Sequence, residues 1–202
     1  MVRRRYQPGQ IIYAQNDVGL ELYKVVDGRV RISLIRSNGR HIVYCYFGPG
    51  DFFGESSLID GGLRPQTAEA KTSVDVDVLS AAALRRLRTS FRDVEDGLLR
   101  VMTSKMRLLS EQVAHATLDS ITSRVAAKII ENAKGFGQIG AERQQAMSLS
   151  QSDLASMLGM SRQSVSKVLQ RLQLRGAIGI EYGRIHIVDL SRLDDASAHT
   201  SD

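Results

Sequence analysis

A single cysteine, Cys45, stands among 202 residues, and that shortage removes several chemistries at once. No intramolecular disulfide framework can form, and neither a cysteine-based zinc site nor an iron–sulfur cluster can be built. Cys45 sits in the apolar run 41–47, where it reads as a small buried hydrophobe rather than a reactive thiol. The four histidines, His41, His115, His186 and His199, are scattered without metal-ligand spacing, so no metal is expected. Long hydrophobic runs are missing too, and none approaches the roughly 20 apolar residues of a membrane-spanning helix. The start, MVRRRYQPGQ, has charge but no apolar segment behind it. A soluble cytoplasmic protein with no membrane partner is therefore expected. Ala70-Lys71-Thr72-Ser73 lacks the glycine loop that cradles nucleotide phosphates and reads as a strand edge. No nucleophile–base pair or catalytic carboxylate pair stands out, so the chain is not expected to be an enzyme.

What is present is an ordinary globular composition, 43% hydrophobic and 24% charged, with net charge +5. That length holds one large domain or two small ones, and the basic balance favours a polyanionic partner. The most informative stretch runs from Leu149 to Leu174. Leu154, Leu158, Val165, Val168, Leu169 and Leu172 fall at helical spacing on two short segments joined by Gly159-Met160-Ser161. Ser161 is placed to cap the second segment. Two short amphipathic helices around a glycine turn form either an ordinary helical hairpin or a helix-turn-helix, whose second helix can enter a DNA major groove. That helix carries Arg162, Gln163, Ser166 and Lys167 on its first two turns.

The following residues favour DNA. Gly176 signals a helix end, Ala177–Glu181 alternates as a strand, Tyr182-Gly183-Arg184 turns, and Ile185–Val188 returns. A hairpin directly behind a recognition-type helix is the wing of a winged helix, with Arg184 at its tip in reach of a phosphate. Residues 120–190 hold nine Lys/Arg against five Asp/Glu, a modest excess suited to a polyanion. The final residues, DDASAHTSD, are polar and aperiodic and should fray.

Upstream, residues 6–79 read as short strands broken by Gly, Pro and Asp, including a strong Asn38-Gly39 hairpin signal. A small β-sandwich or β-roll follows, then a helical stretch over Ala81–Arg88. A long helix is expected over Val94–Leu118. On it Leu99, Met102, Met106, Leu109, Val113 and Ala116 alternate at spacings of three and four. This 3.5-residue repeat favours a two-helix seam and hence a homodimer. Leu98, Val101 and Leu108 widen the apolar face enough to pack on the chain's own β domain as well. A further helix, Ile121–Ala133, and a loop, Lys134–Ala146, lead to the helix-turn-helix. Within Gly48-Pro-Gly-Asp-Phe-Phe-Gly-Glu55, Gly54, Glu55 and Ser56 could offer backbone N–H groups beside a carboxylate. Arg64 adds a guanidinium, which together would suit an anionic sugar. Glycine turns with a surface ion pair would look the same.

Taken in order, Gly28-Arg29-Val30, GPGDFFGE, Arg64, the heptad helix and LSQSDLASMLGMSRQSVSKVLQRL make the chain resemble the CRP/FNR superfamily of bacterial transcription regulators. The resemblance implies an α+β fold. It consists of an N-terminal cyclic-nucleotide-binding-type β-roll (1–92), a long dimerisation helix (93–119) and a C-terminal winged helix-turn-helix (120–202). It also implies a homodimer on palindromic double-stranded DNA, with RNA polymerase as a further partner. The family's cyclic-AMP pocket is matched at Gly54, Glu55 and Arg64, and at Ser110 on the long helix. Pro65 stands where the family has Ser or Thr, and Leu109 replaces a threonine, which argues against cyclic AMP. Cyclic AMP, another effector or none remain as alternatives, as does a cyclic-nucleotide module acting through protein contacts. The family's recognition helix commonly reads Ser-Arg-Glu-Thr-Val-x-Arg, and here it is Ser161-Arg162-Gln163-Ser164-Val165-Ser166-Lys167. Arg162 is expected on guanine, Gln163 on adenine where the family's glutamate takes cytosine, and Lys167 on guanine or phosphate. Ser150, Ser152 and Arg184 are the expected phosphate contacts.

Overall fold

The computed structural model describes residues 1–37, 41–134, 149–182 and 184–198. The Asn38-Gly39 turn and all but the first residue of the Lys134–Ala146 loop lie outside them. The described chain divides into two compact units between Met106 and Arg107.

The first unit is a β-roll of two four-stranded antiparallel sheets. One runs β1 (Val2–Tyr6), β8 (Val74–Ser80), β3 (Glu21–Asp27), β6 (Phe52–Phe53). The other runs β2 (Ile11–Tyr13), β7 (Thr67–Ala70), β4 (Val30–Ile35), β5 (His41–Phe47). Alternation dictates the inner face. Val74, Val76 and Val78 of β8 turn inward with Val25, Val30, Ile32, Cys45 and Phe53. Asp75 and Asp77, the alternate residues of β8, turn outward. There each faces an arginine across the register, Asp75 with Arg5 and Asp77 with Arg3. These pairs explain why the polar VRRRY segment is a strand, which its sequence did not suggest. Helix α1 (Glu55–Asp60) and β6 are further short elements absent from the sequence reading.

Helix α2 (Ala81–Ser90) is capped by Ser80, whose hydroxyl accepts the Ala83 N–H. Helix α3 (Arg92–Leu118) then runs for 27 residues without one buried side chain. Val94 and Leu98, half-buried, pack on the cluster of Leu22, Leu79 and Leu84. The expected seam residues point elsewhere. Leu99 is 64% exposed, Met106 66% and Val113 65%, Leu109 and Ala116 are also exposed, and Met102 is half-buried.

The second unit holds the end of α3, then α4 (Ile121–Lys134), α5 (Gln151–Leu158), α6 (Arg162–Leu174), the hairpin β9 (Ile178–Glu181) and β10 (Arg184–Ile187), and α7 (Leu190–Ala198). Its core is Val125, Ile129, Leu149, Leu154, Val165, Leu169, Leu172, Ile178, Ile185 and Leu193, each almost wholly buried. Helix α7 corrects the expectation of a frayed tail from Asp194. Leu193 and Ala196 bury one face, and Asp189 caps the helix start by accepting from the Arg192 N–H and the Ser191 hydroxyl. No described helix is long and apolar enough to cross a membrane.

Candidate nucleic-acid interface and effector pocket

Helix α5 begins with a reciprocal cap. The Ser150 hydroxyl accepts the Asp153 N–H at 3.1 Å, while the Asp153 carboxylate accepts from the Ser150 hydroxyl at 2.8 Å. Such a cap stabilises a helix by about 1 kcal/mol. It also commits the Ser150 hydroxyl to the fold, whereas Ser152 next to it is exposed. Helix α5 ends at Gly159 with φ +63°, the left-handed turn that places the cap of α6 at Ser161, two residues later. There the Ser161 hydroxyl accepts the Ser164 N–H at 3.1 Å.

Val165, Val168, Leu169 and Leu172 anchor α6 by one face. Helical geometry then puts Gln163, Lys167 and Gln170 on the opposite side, and all three are exposed. Arg162, exposed, and Ser166, half-buried, flank that stripe. Gln170 lies one turn beyond the residues named from sequence, and the i, i+4, i+7 spacing from Gln163 would have found it. Behind α6, Gly176 has φ +69° and the Ala177 N–H reaches the Leu172 carbonyl, so the chain reverses directly into the wing. Arg184 is exposed beside the wing tip, opposite Glu181 in register.

In the β-roll, Gly54 has φ +85° and is followed by Glu55 at the start of α1. Arg64 is 2% exposed. Its Nη1 donates to the Gly54 carbonyl at 2.6 Å and its Nη2 to the Glu21 carbonyl at 2.7 Å. The guanidinium also lies 4.3 Å from the Tyr13 ring centroid and 5.8 Å from that of Tyr23. Among the described residues it has no carboxylate partner, and its Nε has no acceptor. Glu55, 5% exposed, accepts from Lys105 Nζ at 2.6 Å through Oε1, while Oε2 has no donor. Lys105, on α3, also donates to the Phe52 carbonyl and lies 5.0 Å from the Phe47 ring centroid. Burial pushes the Tyr13 and Tyr23 phenols up, with Arg64 opposing, so both stay neutral around it. These contacts gather Gly54, Glu55, Arg64 and the adjoining, half-buried Ser56 into one cluster, with charge +1 from Arg64, Lys105 and Glu55. Ser110 lies exposed further along α3. Lys105, Tyr13 and Tyr23 were not anticipated, since each is at least 40 residues from its pocket partner or carries no charge signal.

Residues 3–91 match the model of the cyclic nucleotide-binding domain, and residues 123–196 that of the Crp-like helix-turn-helix domain. A CRP-like cAMP-activated global transcriptional regulator of Mycobacterium tuberculosis is 31% identical over 186 residues, covering 92% of this chain and 83% of that protein. The chain belongs to the CRP/FNR family. The cyclic AMP receptor protein of Thermus thermophilus is 27% identical over 198 residues, 96% of this chain and 87% of the receptor. The fold matches that of FixK2 from Bradyrhizobium japonicum with TM-score 0.84 at 22% identity, covering 99% of this chain and 98% of FixK2. A CRP-family regulator from Thermus thermophilus, TTHB099, matches with TM-score 0.77 at 27% identity over 98% of both chains. The CRP/FNR chain is therefore a transcription regulator with a DNA-binding helix-turn-helix, and its relatives are regulators rather than enzymes.

Proposed function

We propose that the chain acts in the cytoplasm as a homodimer that binds a palindromic DNA operator and answers to an effector through its β-roll. The observation that carries this reading is the polar stripe of α6 beside the paired strands β9 and β10, on a chain whose long helix leaves most of its 3.5-residue apolar repeat exposed. Pairing two α3 helices through Leu99, Met102, Met106, Leu109, Val113 and Ala116 covers that repeat. It also gives two readers for half-sites about one helical turn of DNA apart, roughly 34–36 Å. In each half-site Arg162 reads guanine, Gln163 adenine, and Ser166 and Lys167 adjoin them, while Ser152, Arg184 and the cap region of Ser150 meet phosphates. RNA polymerase is the partner assigned to the promoter-bound dimer, since regulators of this family act on transcription.

The effector reading rests on Arg64 and Glu55. A buried guanidinium without a carboxylate is costly, so the site suits an anion, and Glu55 Oε2 suits a hydroxyl donor. A cyclic nucleotide offers both groups and is the first ligand to try. Pro65 supplies no N–H and Leu109 no hydroxyl, each loss costing such a ligand about 1.5–3 kcal/mol. Arg162→Ala tests the DNA reading. It should weaken operator binding by about 1–3 kcal/mol per half-site and relax the preference at one base pair in each. Unchanged affinity in a gel shift would remove α6 as the reader.

A further inference from the structure

We propose that His115 and Asp119 make a proton-sensitive joint between α3 and the DNA-binding helices. The joint is stiff when the imidazole carries its second proton and slack when it does not. This inference rests on the dimeric operator reading above. Leu109, Val113 and Ala116 of α3 belong to the same compact unit as α4 to α7, so the joint is internal to that unit. Asp119 and Ser120 alone separate α3 from α4. On the last turn of α3, His115 Nδ1 is hydrogen-bonded to Asp119 Oδ2. The Ser120 hydroxyl accepts the Ser123 N–H at 3.2 Å and caps α4.

The Asp119 side chain is only 14% exposed, and it depends on the imidazole for a donor. The other donor in reach is the hydroxyl of the fully buried Ser123, at 3.2 Å. That hydroxyl has one hydrogen and also meets the Ser197 carbonyl of α7, so it cannot serve both acceptors at once. The bond from His115 holds the Asp119 carboxyl below the usual carboxylate range, so Asp119 stays ionised over the pH at which histidine changes charge. The ring also lines a groove between α3, α4 and α7, where the other charged walls are Glu111, Glu131 and Asp194. Of the nearby cations, buried Lys128 is paired with Glu131, and Arg124 lies near Asp119 while donating to the Leu158 carbonyl. A protonated ring has a donor at each nitrogen, whereas a neutral ring keeps one. The neutral ring gives Asp119 an uncharged, weaker hydrogen bond or, in the other tautomer, an opposing lone pair. One turn earlier Gln112 donates to Glu131 of α4 at 2.8 Å, so the helices stay in contact and only the last turn loosens. A stiff joint fixes the separation of two readers, which sets the effective concentration of the second once the first is bound. A single half-site does not sense it.

The test measures affinity by fluorescence anisotropy at pH about 6 and about 8, the two sides of an ordinary histidine titration. One duplex carries both half-sites and the other a single half-site. Their affinity ratio cancels the titration of His186 in the wing and of any other group close to the DNA. In the wild type the ratio should be about three- to tenfold larger at the lower pH. His115→Gln should hold the ratio at the wild type's high-pH value throughout. His115→Lys, which keeps a cation beside Asp119, should hold it near the low-pH value, with circular dichroism confirming that both variants are folded. A wild-type ratio equal at both pH values, or a variant ratio that still follows pH, would overturn the joint. A wild type that prefers two half-sites to one at neither pH would instead overturn the dimeric operator reading, and this inference with it.

Discussion

Replacing Leu99 by alanine probes the proposed dimer seam at one of its most exposed residues. Leu99 is 64% exposed on an α3 that buries none of its side chains within the single chain. Complete burial of a leucine side chain contributes about 1.5–3 kcal/mol, so covering two-thirds of it contributes about 1–2 kcal/mol. A two-fold seam counts each residue twice, so Leu99→Ala should destabilise the dimer by about 2–4 kcal/mol. At about 1.4 kcal/mol per decade, the dimer dissociation constant rises by about 1.5–3 decades. The fold itself should survive, because Leu98 and Val94, not Leu99, pack on Leu22, Leu79 and Leu84. Sedimentation velocity over a dilution series reads the dissociation constant, and circular dichroism reads the fold. A variant as dimeric as wild type at every concentration would refute the seam. A variant that unfolds would show that Leu99 serves the chain's own core instead.

Two further outcomes follow from the β-roll. Gly54→Ala forces a side chain onto φ +85° with its Cβ 2.7 Å from Arg64 Nη1, so the guanidinium must leave its seat. The positive φ alone costs about 1–2 kcal/mol, visible as a lower denaturant midpoint, and any thermal shift given by cyclic AMP should disappear with it. A variant with the wild-type midpoint would contradict the Arg64 geometry. On the acid side, hydrogen bonds from Arg5, Arg3 and Arg4 hold Asp75, Asp77 and Glu21 below the usual carboxylate range. Folded values below unfolded ones give stability that is complete above pH about 4 and is lost as pH falls through the lowered values. The melting temperature should therefore drop below pH about 4, and less steeply in an Asp75→Asn/Asp77→Asn variant. Identical acid profiles would discount these pairs.

The DNA-binding unit was the most legible part because its signals are local. Ser161, Gly159 and the Val165–Leu172 stripe lie within fourteen residues, and helical periodicity needs no distant partner. The long helix was equally readable, since its 3.5-residue apolar repeat needs no distant partner either. Elements that depend on remote chain were not. VRRRY becomes β1 only because Asp75 and Asp77 lie some seventy residues away in β8. Helix α7 escaped notice because Leu193 and Ala196 are its only fully buried positions in a polar stretch. Glu55 and Arg64 were named from their motif, but the lysine that meets Glu55 comes from α3, fifty residues on. The tyrosines beneath Arg64 read in sequence as ordinary strand aromatics. The motif named the two charges, and only the fold gave their partners.

Selection of bound duplexes from a random pool separates a dimeric operator reader from a chain without sequence preference. The selected pool should be enriched in an inverted repeat whose half-sites lie about one helical turn apart, roughly 10–10.5 base pairs centre to centre. Each half-site should carry a guanine for Arg162 and, at the neighbouring pair, an adenine for Gln163 where the family's glutamate takes cytosine. Enrichment of no motif, or of a single unrepeated half-site, would contradict a dimeric operator-reading regulator.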